Sequence, residues 1–296
     1  MSSVSAGPIE PARFPGNRLL VVTGGHRVDL DGFLGMVEAI CVDRGWVWAH
    51  LTQPAAQRWL RPEHAGQWDA VLCHDLPGLA LKRGAPPRVE GPRSDVADGL
   101  RALLDRGQGI VVLHHALAGW PGWEGWAEAL GGRFLYAPGR LRGRQWPASG
   151  YRMATHTIDV TAPDHPICAG VESFAVDDEL YYAPVFEDRV TPLLRSRGDF
   201  DGANFLDTYD VVCHGESTGQ TCAGRPAASD LVGWTTTAGR SPIAVLQPGD
   251  GPATFAHPMF RLLLGNALAW VASPAAHEAA VAHPYPIPSI TGPAVE

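Results

Sequence analysis

The chain has 296 residues, 45% of them hydrophobic, and a formal net charge of −8 at pH 7. This length and apolar fraction suffice for a large folded domain with a core and are not those of a disordered chain. The acidic balance argues against binding to nucleic acid or to an anionic membrane surface, and no apolar run approaches the roughly 18 residues of a membrane span.

Two residue types narrow the chemistry further. Lys82 is the only lysine, and its surroundings, "LALKRGAPPR", contain no P-loop pattern, which argues against a nucleotide or pyridoxal phosphate as cofactor. The five cysteines include no Cys-x-x-Cys pair, which predicts reduced thiols in a cytoplasmic protein. The N-terminal residues show no apolar signal region, in keeping with that location.

The first half of the chain alternates strands and helices. Strands are predicted in "LLVVT", "WVWAHL", "WDAVLCHDL" and "GIVVLHH", and helices in "DGFLGMVEAICVDRG", "AAQRWL", "SDVADGLRALLDRGQG" and "GWEGWAEALGG". Asp31 is predicted to cap the first helix. Near-continuous apolar strands that alternate with helices predict a parallel sheet covered by helices on both faces.

The second half is richer in strands. They are predicted in "THTIDVT", "DELYYAPVF", "VTPLLRS", "LVGWTTT" and "SPIAVLQ", before a closing amphipathic helix in "HPMFRLLLGNALAWVAS". We therefore predict a single α/β domain over residues 18–273, mostly parallel, with an extended and partly antiparallel second half. An N-terminal extension (1–17) precedes the domain and a Pro-rich tail (274–296) follows it.

Polar side chains end several of the predicted parallel strands, where such sheets bind ligands. They are His26, Asp29 and Asp31 after the first strand, His74 and Asp75 after the third, and His114 and His115 after the fourth. The ends of the first and fourth strands are expected to be adjacent. Because neighbouring side chains at a strand end point in opposite directions, we expect only His114 of its pair to face the cleft. The Gly24-Gly25 pair lacks the spacing of a dinucleotide fingerprint and is interpreted as a tight turn that aims His26 into the cleft.

An acidic run beside tyrosines marks the second half. In "VDDELYY", Asp178 and Glu179 precede Tyr181, a combination suited to ligands rich in hydroxyl groups. Trp120, shortly after the histidine pair, is a candidate platform for stacking on a sugar. The next tryptophans, Trp123 and Trp126, have ordinary helical spacing and are interpreted as packing residues.

Four segments in this order resemble the ThuA-like (trehalose-utilisation) family over about residues 19–273. They are "LLVVTGGHRVDLDG", "GIVVLHHALAGW…WAEALGGRF", "IDVTAPDHPICAGVESFAVDDELYY" and "GDGPATFAHPMFRLLLGNALAWVAS". The resemblance implies a flavodoxin-like three-layer α/β fold related to class I glutamine amidotransferases, and a role in carbohydrate metabolism. In those amidotransferases a cysteine nucleophile occupies a strand-to-helix turn. Here "VVLHHAL" puts His114 at or beside that place, so glutaminase chemistry is not expected.

The family's motif residues carry over one by one. His26 and His114 match the histidines after the first and fourth strands, 164–166 match the "DHP" turn, and Asp178, Glu179 and Tyr181 match the "DELY" stretch. Two positions depart from the family pattern. Asp250 stands where the family usually has a histidine before "PATF", and Ala137-Pro138 stands where it often has His-Pro.

These residues support an enzyme that acts on a sugar, a keto-sugar or a glycoside. His26, His114 and Glu179 are the expected acid–base groups, and Asp31 is expected to orient a histidine. The expected substrate-binding residues are His115, Trp120, Asp178, Tyr181 and Asp250. The set of His26, His114 and Glu179 could instead hold a divalent metal such as zinc, and the sequence leaves these two versions open.

A second hypothesis is a non-catalytic sugar-binding or regulatory protein of the same fold. The two departures from the family pattern, at Ala137 and Asp250, are its support. Under either hypothesis the expected partner is a small carbohydrate, with neither nucleic acid nor membrane. A homo-oligomer remains open.

Overall fold

The structure is a computed structural model that describes residues 16–287. Most of the predicted N-terminal extension and the last nine residues of the predicted tail (288–296) lie outside the described residues. The strands are β1 (Arg18–Gly24), β2 (Val47–Thr52), β3 (Ala70–Asp75), β4 (Leu79–Ala80), β5 (Arg88–Val89), β6 (Ile110–Leu113), β7 (Gly139–Leu141), β8 (Arg144–Trp146), β9 (Gly150–Val160), β10 (Phe174–Tyr182), β11 (Thr191–Ser196), β12 (Leu206–Asp207), β13 (Leu231–Ala238) and β14 (Ser241–Leu246). The helices are α1 (Leu30–Arg44), α2 (Ser94–Asp105), α3 (Glu124–Leu130), α4 (Thr208–His214), α5 (Pro252–Ala256), α6 (Pro258–Val271) and α7 (Pro274–Ala282).

Five parallel strands form one half of the main sheet, in the order β2-β1-β3-β6-β14. Numbered among themselves along the chain, these strands have the order 2-1-3-4-5, which is that of flavodoxin-like folds. The predicted fold class is therefore confirmed. The ends of β1 and β6 are not adjacent as expected, because β3 lies between them.

The four strands β1, β3, β6 and β14 are buried on both faces, which explains their near-continuous apolar sequences. On one face, Leu19 and Val21 pack with residues of α1 and α6, such as Phe33 and Leu263. On the other face the alternate residues of β1 pack with α2 and α3. The result is a three-layer arrangement with the sheet in the middle. Among residues 16–287, none of the helices combines the length and apolar character that crossing a membrane requires.

The second half of the chain extends the same sheet with antiparallel strands. From β14 the order continues β13-β11-β9-β10, and β12 pairs with the start of β9. The predicted partly antiparallel second half is thus present. The hairpin of β9 and β10 is its longest pairing and runs from Phe174↔Ile158 to Tyr182↔Gly150.

One local prediction needs correction, and the segment predicted as a tail shows a feature that was not predicted. Asp29, not Asp31, caps α1, because its carboxylate accepts a hydrogen bond from the backbone N–H of Gly32 at 3.2 Å. The predicted C-terminal tail begins with a helix, α7, whose first turn is capped by the Ser273 hydroxyl. Serine followed by proline is a common start of a helix, since proline fits the first turn without a lost hydrogen bond.

The turn after β1 requires glycine. Gly24 and Gly25 have φ values of 108° and 87°, and a Cβ at Gly25 would overlap the carbonyl oxygen of Leu76. We expect Gly25→Ala to lower the free energy of unfolding by about 2 kcal/mol, measured by urea denaturation. The matched control is Gly35→Ala, at an exposed helical position with open space, which should raise stability by about 0.5–1 kcal/mol. Equal effects of the two substitutions would contradict this account of the turn.

Candidate active site

A cluster of histidines and carboxylates lies at the carboxyl ends of the parallel strands. His26 follows β1, His74 belongs to the end of β3, and His114 and His115 follow β6. Two further segments reach the same place: Gln247, Gly249 and Asp250 after β14, and Asp178, Glu179 and Tyr181 on β10. The loops of both halves of the sheet therefore meet at one site.

His114 occupies a sharp turn. The chain leaves β6 at Leu113 and enters a short 3₁₀ helix, His114–Ala118, in which His114 has a φ of 49°. A left-handed conformation in a residue other than glycine is uncommon and is frequent at functional turns. The side chain is fully buried, and its Nδ1 donates a hydrogen bond to the carbonyl oxygen of Gln247 at 2.6 Å. Its Nε2 is thereby directed at the cluster.

Three oxygens surround Nε2 of His114. The Tyr181 hydroxyl lies at 2.9 Å, Glu179 Oε2 at 3.3 Å and Asp250 Oδ1 at 3.4 Å. Burial alone would lower the pKa of His114, but the hydrogen bonds with Asp250 and Glu179 outweigh it and raise the pKa to about 10. The hydrogen bond with His114 in turn lowers the pKa of Asp250. These two shifts favour a positively charged His114 beside an ionised Asp250.

The other histidines of the cluster are neutral. Burial and the charge of His114 lower the pKa of His26 to about 4 and that of His74 to about 3, and the pKa of His115 falls for the same reasons. The rings of His26 and His115 meet edge to face, with centroids 3.3 Å apart. Nε2 of His26 and Nδ1 of His115 are buried and have no hydrogen-bond partner within residues 16–287.

Both members of the histidine pair lie in the cluster, contrary to the expectation that only His114 would. One ring nitrogen of His115 lies within 4.8 Å of ligand atoms of His114, Glu179 and Asp250. The alternation of side chains holds only while a strand continues, and β6 ends before His114. The 3₁₀ turn then brings His115 to the same side.

Asp178 positions the loop after β14. Its carboxylate is 1% exposed and accepts hydrogen bonds from the backbone N–H groups of Gly249 at 2.7 Å, Asp250 at 3.0 Å and Glu179 at 2.9 Å. These bonds hold the main chain on both sides of the cluster. Asp178 therefore fixes the main chain that carries Glu179 and Asp250, the two carboxylates that contact His114.

Three tyrosines border the carboxylates, and sequence reasoning found only Tyr181. Burial, with the charge of Glu179 next in importance, raises the pKa of Tyr136. Burial, followed by the charges of Glu216 and Glu179, raises the pKa of Tyr151 to about 12. Tyr151 pairs directly with Tyr181 across the hairpin of β9 and β10. Tyr136 directly precedes Ala137-Pro138, where the chain departs from the family pattern, and that departure was the available signal.

Two predicted site residues lie away from the cluster. Asp31 is exposed in the first turn of α1, and within the described part of the chain no hydrogen bond or ion pair joins it to a histidine. Trp120 is 7% exposed, and its ring lines a small internal cavity with Gln53 and Asp75. Its backbone carbonyl accepts a hydrogen bond from the buried guanidinium of Arg133 at 2.8 Å. The stacked pair Trp123 and Trp126 is buried, as predicted for packing residues.

Four residues of the cluster could share a metal ion. One ligand atom from each of His114, His115, Glu179 and Asp250 lies within 4.8 Å of the other three. This set differs from the predicted one, because His115 and Asp250 are included and His26 is not. Without a metal, the same groups form an ion-paired centre that can exchange protons with a bound substrate.

Comparison with known proteins agrees with this fold. The sequence model of the ThuA family, described as trehalose utilisation, matches residues 90–271. The structure is similar to a ThuA-like protein from Parabacteroides merdae (14% identity, TM-score 0.61, 87% of this chain and 90% of that one) and to one from Bacteroides uniformis (17% identity, TM-score 0.57, 90% and 95%). No curated protein gives a significant match. Because the family model matches more than half of the residues of this chain, the chain belongs to the ThuA family.

Proposed function

We propose that the protein is an enzyme that transfers a proton on a sugar, a keto-sugar or a glycoside. The observation that carries the proposal is the convergence of Glu179 and Asp250 on one buried imidazole, His114, at 3.3 and 3.4 Å. A carboxylate in this arrangement supplies a base, and the positive charge at His114 stabilises negative charge that develops on the substrate. Membership of a family described as trehalose utilisation supports a carbohydrate as the substrate.

The surroundings suit a ligand with many hydroxyl groups. The carboxylates of Glu179 and Asp250 are partly accessible, with 16% and 31% of their side chains exposed. The charge of Glu179 contributes to raising the pKa of both Tyr136 and Tyr151, and Tyr151 pairs with Tyr181 across β9 and β10. Carboxylates accept hydrogen bonds from sugar hydroxyls, and tyrosines both donate and accept them.

Proton transfer next to a ketone is the reaction that this arrangement supports best. Glu179 takes a proton from the carbon beside the carbonyl, and the electron pair of that C–H bond moves to the carbonyl oxygen. The positive charge at His114 stabilises the resulting enolate oxygen. If the carbon that lost the proton carries a hydroxyl group, that hydroxyl proton passes to the enolate oxygen and Glu179 returns its proton to the former carbonyl carbon, so the carbonyl moves to the neighbouring carbon and the sugar is isomerised. Alternatively, the electron pair expels an oxygen substituent from the next carbon, and that substituent leaves as an alcohol after taking up the proton.

The test follows 3-keto-glycosides and the parent glycosides by mass spectrometry, in water and in deuterium oxide. We expect turnover or deuterium uptake beside the ketone, and a loss of about 10²–10⁴-fold in Glu179→Gln, which has the same shape but no base. The control is Asp177→Asn, an exposed change on the same strand, which should keep full activity. A ligand-induced rise in melting temperature without turnover would overturn the enzyme in favour of a sugar-binding protein. No response to any sugar would overturn both.

A further inference from the structure

We propose that this centre also binds a divalent transition-metal ion through His114, His115, Glu179 and Asp250, with one donor atom from each. With the ion bound, it supplies the positive charge of the proposed reaction in place of the proton on Nε2 of His114, and the second carboxylate oxygen of Glu179 acts as the base. The inference rests on the proposed function, because it concerns the same centre, and it names what that centre binds besides the substrate. It makes His115 and Asp250 metal ligands and leaves His26 beside the ion without coordinating it.

The separations of the donor atoms fit one small cation. Ligands bound to zinc at about 2.0–2.1 Å in a tetrahedral arrangement lie about 3.3–3.4 Å from one another. Nε2 of His114 is 3.3 Å from Glu179 Oε2 and 3.4 Å from Asp250 Oδ1. All four donor atoms lie within 4.8 Å of one another, so small adjustments of the side chains complete the set.

Three of the four ligands are oriented by bonds that require no metal. Nδ1 of His114 donates to the carbonyl oxygen of Gln247, which directs Nε2 to the centre, and a second hydrogen bond of this kind accompanies most metal-binding histidines. The carboxylate of Asp178 accepts the backbone N–H groups of Glu179 and Asp250. Hydrogen bonds from residues outside the donor set therefore position the donors, as is usual in metal sites.

The unpaired imidazole of His115 is the independent observation that points to a ligand. His115 is 8% exposed, and Nδ1 has no hydrogen-bond partner within the described chain. Burying a polar nitrogen without a partner is costly, so each such group calls for an explanation. One ring nitrogen of His115 lies within 4.8 Å of donor atoms of His114, Glu179 and Asp250, and a metal ion bound through Nδ1 would supply the missing partner.

The donor types select the kind of ion. Two imidazoles with two carboxylates suit zinc, manganese or ferrous iron, whereas magnesium and calcium prefer sites made of oxygen alone. A charge of +2 also balances the two carboxylates. Binding has one structural consequence: the Tyr181 hydroxyl, now 2.9 Å from Nε2 of His114, must release that nitrogen to the metal. When bound, the ion would polarise a substrate carbonyl in the way that the proposed reaction requires.

The test measures metal binding directly. Protein purified without a histidine tag is treated with chelator, dialysed and titrated with Zn²⁺, Mn²⁺ and Mg²⁺ by calorimetry. Co²⁺ is added as a spectroscopic probe, since its absorption reports four-coordinate nitrogen and oxygen ligands. We expect one Zn²⁺ or Mn²⁺ per chain, no comparable binding of Mg²⁺, and a Co²⁺ spectrum of the four-coordinate type.

Variants connect the ion to this cluster. His115→Ala, Glu179→Gln and Asp250→Asn should each weaken binding by at least about 10-fold, and Asp177→Asn should not change it. Circular dichroism checks that each variant folds. If His115→Ala does not fold, the isosteric variants Glu179→Gln and Asp250→Asn decide the question. Absence of Zn²⁺ and Mn²⁺ binding, or binding that the folded variants retain, would overturn the metal site. Sugar turnover that continues in the presence of chelator would contradict the metal site but not the proposed function. Metal binding without turnover of any sugar would contradict the proposed function but not the metal site.

Discussion

Asp178→Asn is expected to lower the free energy of unfolding by about 3–5 kcal/mol. The carboxylate is buried and accepts three backbone N–H groups, two through Oδ1 and one through Oδ2. Asparagine offers one oxygen, so its amide N–H₂ group must face at least one of these donors. Hydrogen bonds to a charged acceptor contribute about 1.5–3 kcal/mol each, and an unpaired buried donor adds its own penalty. Urea denaturation measures the difference.

The neighbouring Asp177→Asn is the control for this prediction. Asp177 is exposed on the same strand, and its replacement should change stability by less than about 0.5 kcal/mol. Equal stabilities of the two variants would mean that the bonds to Gly249 and Asp250 contribute little. Where Asp178→Asn still folds, we also expect weaker function, because the main chain that carries Glu179 and Asp250 is no longer held.

The parallel half of the fold was predictable from local signals. Its strands are apolar on both faces because helices cover both sides of the sheet, and Gly45 and Gly131 end their helices in the left-handed conformation that glycine permits. The order of the strands was not available from such signals. The strand order came from the resemblance to a family. Local signals led to the wrong prediction that the ends of β1 and β6 are adjacent, because such signals do not show that β3 lies between them.

The alternation of side chains along a strand both succeeded and failed at this site. At the end of β3, where the strand continues through both residues, His74 joins the histidine cluster and Asp75 lies on the opposite face beside Gln53. After β6 the rule gave a wrong expectation, because His114 already belongs to a turn. Where a strand ends decides which side chains share a cleft, and a shift of one residue lies within the error of any sequence-based boundary.

The tyrosines beside Glu179 illustrate a second limit. Tyr151 reaches the site because β9 pairs with β10 in a register that sets it opposite Tyr181. That register depends on packing between segments about thirty residues apart, and no local pattern around Tyr151 indicates it. The prediction for Trp120 was wrong for a different reason. An aromatic residue near the histidines was expected to face a sugar, but Trp120 is buried and lines a small cavity inside the protein.

That cavity leads to the second large expected effect, a pH-dependent gain of stability in Asp75→Asn. The carboxyl group of Asp75 is 5% exposed, and the amide of Gln53 donates a hydrogen bond to it at 2.7 Å. Burial is the main cause that raises its pKa from 3.8 to about 7, against the smaller opposing effect of Gln53. The folded protein therefore favours the uncharged acid, whereas the unfolded chain ionises it freely.

The sign follows from this difference. Below about pH 4 the carboxyl is protonated in both states and costs nothing, but between about pH 4 and 7 only the unfolded state ionises, so the folded state loses stability. Above the pKa of Asp75 in the folded protein, this loss of stability is complete. It amounts to about 1.4 kcal/mol for each unit by which the two pKa values differ, or up to about 4 kcal/mol in all. Asp75→Asn removes the charge and keeps an oxygen for Gln53. Its advantage in urea denaturation should be about 1 kcal/mol at about pH 4.5 and about 2–4 kcal/mol at about pH 8.

Glu38→Gln, an exposed change on the outer face of α1, is the matched control and should give no such trend. A gain that is the same at both pH values would contradict the argument, because it would place the effect in packing rather than in ionisation. No gain at high pH would mean that the carboxylate is stabilised where it lies.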